Sequence, residues 1–164
     1  MKIKITDAEY LMLATLGGMR SLTARNNGVK DAKMGSQSGL EADIDGLIGE
    51  YAFCKWKNIF PDLVPAPRSG SADCFYENLR IDIKTTRYKN GKLLSTLKNN
   101  DDVDIYALAI LTDRTVDFKG WIKKSELRQE QNIRDLGHGK GYCLDQDKLK
   151  PFKKHVVARY DIIR

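Results

Sequence analysis

At 164 residues, with 41% apolar and 30% charged side chains, the chain is too apolar for a disordered segment and long enough for one sizeable core. Its formal charge of +6 favours an acidic partner, of which nucleic acid is the commonest, although charge alone does not select it. Cys54, Cys74 and Cys143 lie far apart without a Cys-x-x-Cys pair, which argues against a zinc finger or a disulfide framework and for a reducing cytosol.

The first five residues carry two lysines, but Asp7 and Glu9 follow and no apolar core appears, so they do not read as a signal peptide. Thr6 and Glu9 have the spacing of a capping box. They predict a helix over residues 6–25, through Tyr10, Leu13, Leu16 and Leu22, ended by Asn26-Asn27-Gly28. Gly17-Gly18 weakens its middle and predicts a bend. Residues 29–39 turn polar, with Lys30, Lys33, Gly35, Ser36 and Ser38, and read as a basic loop. Over 42–58, Ile44, Leu47, Ile48, Tyr51, Ala52 and Trp56 recur at helical spacing. Pro61, Pro65 and Pro67 then force an extended connection, and two short strands follow at 72–76 and 79–84. Residues 103–111 are almost continuously apolar, as a strand covered on both faces would be. The next strand is expected at 116–122 and a short helix near 125–131, with weaker strands at 142–144 and 155–163. No apolar run reaches the roughly 18 residues of a membrane span, so an intracellular protein with no membrane partner is expected. With no internal repeat, the whole chain reads as one domain with its core at 42–122, a helical extension before it and an irregular α/β extension after it. This order predicts an α/β fold, a mixed central β-sheet flanked by helices.

The chemistry is concentrated between Ser71 and Lys84. On the second strand Leu79, Ile81 and Ile83 point one way, while Arg80, Asp82 and Lys84 point the other. With Glu77-Asn78 as the turn, the register pairs Tyr76 with Leu79, Cys74 with Ile81 and Asp73 with Asp82. Two carboxylates facing each other across strands repel, and a divalent cation between them removes the conflict. Oxygen donors without clustered His or Cys suit magnesium or manganese rather than zinc. Such an ion acidifies a water and screens charge on a phosphate under attack. Lys84 is placed to orient or help deprotonate that water, or to stabilise the phosphate charge.

Asp73, followed nine residues later by Asp82-Ile83-Lys84, resembles the signature of the PD-(D/E)XK nuclease superfamily. Gly46-Leu-Ile-Gly-Glu50-Tyr-Ala-Phe is similar to the helix that precedes the hairpin in that group and supplies a metal-binding glutamate. The resemblance covers about residues 42–122. It implies a restriction endonuclease-like α-β-β-β core, with Glu50, Asp73, Asp82 and the Ile83 carbonyl around one or two Mg²⁺ or Mn²⁺ ions. The proline that commonly precedes the first aspartate is replaced here by Ala72.

The expected activity is magnesium-dependent hydrolysis of DNA phosphodiester bonds by an endonuclease, with Glu50, Asp73, Asp82 and Lys84 as its catalytic set. A Holliday-junction resolvase or an exonuclease of the same fold is the nearest alternative, and an RNA-directed nuclease would use the same site. A DNA-binding module without cleavage is the other class. The compact build suits a phage or other mobile element, and a homodimer would provide paired nicks. Arg87, Lys89, Lys92 and Lys33 are the expected DNA contacts. A bland reading makes Asp82 and Lys84 opposite charges two residues apart on a solvated strand, and Glu50 an ordinary exposed helix residue. Gly137-His138-Gly139-Lys140-Gly141 lacks the spacing of a phosphate loop and reads as a surface turn. His138 and His155 are too separated for a histidine metal site, and Trp56 and Trp121 read as core aromatics.

Overall fold

The computed structural model describes residues 1–28, 38–65, 72–97, 102–135, 137 and 139–152. Lys33, His138, His155, most of the predicted basic loop and the predicted strand at 155–163 lie outside the described residues.

A first strand, β1 (Lys2–Lys4), leads into α1 (Asp7–Asn26), whose start is fixed by the expected capping box. The Glu9 amide donates to Thr6 Oγ1 at 3.2 Å, while the Thr6 amide donates to Glu9 Oε2 at 2.7 Å. Ser38 and Glu41 repeat the device at the start of α2 (Gly39–Lys57), so this helix begins three residues before the predicted position. Helix α1 continues through Gly17-Gly18. Gly17 marks the crossing with α2, since a Cβ there would lie 2.9 Å from Ile44 Cα.

Strands β2 (Cys74–Tyr76) and β3 (Leu79–Thr86) form the predicted hairpin, with Tyr76 opposite Leu79 and Cys74 opposite Ile81. Glu77 and Asn78 both adopt positive φ, 49° and 61°, which gives a two-residue turn the twist that flanking strands require. Next come β4 (Leu93–Thr96), β5 (Ile105–Thr112), β6 (Thr115–Lys123) and a single turn of helix, α3 (Lys124–Leu127). Strands β7 (Ile133–Asp135) and β8 (Lys140–Leu144) complete the described elements, each followed or preceded by a short 3-10 turn.

The central sheet is mixed, in the order β1-β6-β5-β3-β2, with β3 and β5 parallel and the other neighbours antiparallel. A smaller sheet has the order β4-β8-β7. Strand alternation divides the core in two. Ile81, Ile83, Ala107 and Ala109 face the helices and meet Leu13, Leu47, Ile48 and Phe53. Tyr106, Leu108 and Ile110 face the other way and meet Leu93, Ile122, Leu127 and Leu149 around the smaller sheet. Seven of the eight residues of β5 are therefore buried, which explains its continuous apolar run. Each buried Leu or Ile contributes roughly 1.5–3 kcal/mol, so both halves of this core hold β3 in place.

Candidate active site

The hairpin ladder ends at Cys74–Ile81, one step short of the expected Asp73–Asp82 pair. The Asp73 amide instead donates to the Ile81 carbonyl at 2.9 Å, and the Ile83 amide donates to Asp73 Oδ2 at 2.6 Å. Asp73 is thus offset from Asp82 and turns its carboxylate onto the neighbouring strand. The two aspartates remain electrostatic neighbours. Burial pushes the Asp73 carboxyl up, and the charges of Glu50 and Asp82 push it further. Lys84 and the Ile83 amide oppose them, but the net position is well above the ordinary carboxylate range.

Asp82 and Lys84 lie two residues apart on one face of β3. Lys84 Nζ is 2.7 Å from Asp82 Oδ1 and 2.8 Å from Oδ2, and the aspartate side chain is only 16% exposed. That face is shared with Tyr106, the parallel partner of Asp82 on β5, and Lys84 Nζ stands 6.0 Å from its ring centroid. The pair therefore borders the second half of the core and does not sit on an open solvated strand. Burial pulls the Lys84 ammonium down, but Asp82 and Asp73 more than offset it and hold the group charged.

Glu50 comes from α2, on the helical side of the sheet. Its helix approaches β3 closely because residue 49 is glycine; a Cβ at Gly49 would overlap Thr85 Oγ1. Glu50 Oε2 lies 3.3 Å from Arg20 Nη1, with both side chains largely covered. Arg20 also donates to the Val64 carbonyl at 3.0 Å and the Asp62 carbonyl at 2.7 Å. It thereby ties α1, Glu50 and the extended connection after α2 into one cluster. Sequence reasoning missed Arg20. It stands 30 positions from Glu50 on another helix, and no local pattern links them.

Asp73, Asp82 and Lys84 thus lie along the middle of β3, and Glu50 approaches from α2 closely enough for its charge to act on Asp73. No family model, curated protein or solved structure matches the chain. The chemistry of the site must be read from its own residues.

As donors, the carboxylates of Glu50, Asp73 and Asp82 suit a hard divalent cation. An amide and a carbonyl of one strand residue point toward the same edge, so the Ile83 carbonyl shares the Asp73 side, beyond the last paired residue of β2. The crowding that raises Asp73 is the condition a cation would relieve. As the chain stands, Arg20, the Ile83 amide and Lys84 engage Glu50, Asp73 and Asp82 respectively. Among the described residues, no three His, Cys, Asp or Glu side chains are drawn together into a cage.

The expected DNA contacts divide. Arg87 holds Asp45 through two 2.7 Å bonds, and Asp45 is only 1% exposed, so this guanidinium is committed to structure. Lys89 and Lys92 line a groove of about 1120 Å³ with Arg134 and Lys148, and Lys92 is paired with Asp145 at 2.9 Å. Trp56 and Trp121 pack against the core, as expected. No described helix is long and apolar enough to cross a membrane.

Proposed function

We propose that this chain is a magnesium- or manganese-dependent deoxyribonuclease with a restriction endonuclease-like core. The observation that carries the reading is the half-buried Asp73 carboxyl, bonded by the Ile83 amide and crowded by Glu50 and Asp82 beside the Lys84–Asp82 ion pair. Such crowding opposes folding, and carboxyls perturbed in this way cluster at functional sites. The parallel β3–β5 pair, the preceding hairpin and α2 agree with the core that the sequence resemblance implies.

Glu50, Asp73, Asp82 and the Ile83 carbonyl would hold the ion. When bound, magnesium supplies an acidified water and positive charge at the phosphate under attack. Lys84 contributes a second positive charge to the phosphate, steadied by its hold on Asp82. Arg20 orients Glu50 from the far side. Endonuclease action on DNA is the reading taken, with the same site able to serve a junction resolvase or an exonuclease.

The test is incubation of the purified protein with supercoiled plasmid, linear duplex, four-way junctions and RNA, in Mg²⁺, Mn²⁺ or EDTA. Metal-dependent plasmid nicking or cutting is expected. Selective junction cutting would make the protein a resolvase, and end-dependent loss an exonuclease. Binding without cleavage of any substrate would overturn the enzyme reading.

A further inference from the structure

We propose that the outer face of α1 is a self-association surface, on which a second copy of this chain lays its own α1 antiparallel, about a two-fold axis between Thr15 and Gly18. This inference does not rest on the nuclease reading. Leu11 is 70% exposed, Leu22 64%, Met19 50% and Met12 40%. Single exposed apolar side chains are ordinary, but an aligned set is not. Positions 11, 15, 18 and 22 follow spacings of four, three and four, which places them on one seam of the helix, with Met12 and Met19 along its flank.

Gly18 gives the second observation. A glycine inside a helix weakens it, and Gly17 has a visible reason in the close contact with Ile44. A Cβ at Gly18 would meet no atom within 4 Å. Among the described residues nothing makes use of the missing side chain there, whereas a helix approaching from outside would. Thr15 Oγ1 donates to the Leu11 carbonyl at 2.9 Å, so its hydroxyl is satisfied and its methyl is left for packing.

A second copy fits because the seam is its own complement when reversed. Antiparallel pairing sets Leu11 against Leu22 of the partner and Thr15 against the partner's Gly18, and the two-fold repeats both contacts. The charges agree. Helix α1 carries Asp7 in its first turn and Arg25 in its last, both near the seam, while Glu9 lies on the opposite side against Tyr51 and Lys55. Antiparallel helices bring each acidic end beside the other's basic end and oppose their dipoles, while parallel ones set like ends together. Asp7 and Arg25 already reach Arg114 at 3.2 Å and Asp43 at 3.3 Å, so the partner's charges would extend these pairs.

The test is the mass of the full chain by light scattering after size exclusion, over a concentration series. A dimer is expected. Leu11→Glu and Leu22→Lys should each weaken it by roughly tenfold or more, with the far-UV spectrum unchanged because both side chains are exposed. The double variant should restore the dimer, since each new glutamate then faces a new lysine. A wild-type chain that stays monomeric at every concentration overturns the proposal, and so does a dimer that survives both single changes. A double variant that remains monomeric overturns the antiparallel register. If a charged variant loses its helical signal, Leu11→Gln and Leu22→Gln replace it, with dissociation again the expected result.

Discussion

The Ile83 amide donates to Asp73 at 2.6 Å, yet desolvation, and after it the charges of Glu50 and Asp82, raise the Asp73 carboxyl well above the ordinary range. An unfolded aspartate titrates near about 3.9. Between that value and the raised one the folded chain binds more proton than the unfolded chain, so metal-free stability falls as pH rises through this window. Asp73→Asn keeps an acceptor for Ile83 and removes the charge. In EDTA it should stabilise the protein at pH 7–8 by on the order of 1 kcal/mol, about 2–4 °C in Tm, with the gain vanishing toward pH 4. Melting curves of both proteins across pH check this; parallel curves would count against a crowded carboxyl.

Lys84 offers the sharpest separation of chemistry from binding. Lys84→Ala should lower cleavage by about 10²–10⁴-fold while DNA affinity in a gel-shift assay stays within a few-fold. Full activity in Asp82→Asn would show that the site has been wrongly assigned.

Arg87 should behave as a structural residue. Because Asp45 is almost fully buried, Arg87→Ala leaves a carboxylate without its main partner and should cost about 2–3 kcal/mol in urea unfolding. Its DNA affinity, measured well below Tm, should match the wild type. A large loss of affinity with an unchanged unfolding midpoint would reverse this assignment.

Glu9 closes the capping box of α1 and also accepts from Tyr51 at 2.9 Å and Lys55 at 2.8 Å. Burial pushes its carboxyl up, but Lys55, Thr6 and Tyr51 more than offset this and bring it down to about 2. A depressed carboxyl contributes stability that is complete above its unfolded value near about 4.3 and is lost as pH falls through about 2. Glu9→Ala should therefore cost about 1–2 kcal/mol at neutral pH, and much less near pH 2. Acid unfolding of the two proteins checks both the size and the pH window.

The long elements were legible because their periodicity is long. Helices α1 and α2, the buried run of β5 and the Cys74–Ile81 register follow from spacing alone. The three-residue strands β1 and β7, and the four residues of β4, are too short to carry a period. They exist because β6 and β8 offer them paired edges. The site was legible where neighbours lie on one strand, as Asp82 and Lys84 do. The placement of Asp73 was not, because a side chain accepting a backbone amide shifted the last step of the ladder. Arg87 looked like a free cation next to the site, and only the fold reveals that Asp45 claims it.

Gly46 and Gly49 sit three residues apart on α2 and look alike in the sequence. A Cβ at Gly46 would meet nothing within 4 Å, whereas at Gly49 it would strike Thr85. The gap between helix and strand is thus gauged by one absent methyl group, and with it the reach of Glu50 toward Asp73. A side chain at position 49 would have to displace Thr85 and push the helix off the strand, whereas among the described residues nothing stands in the way of one at position 46.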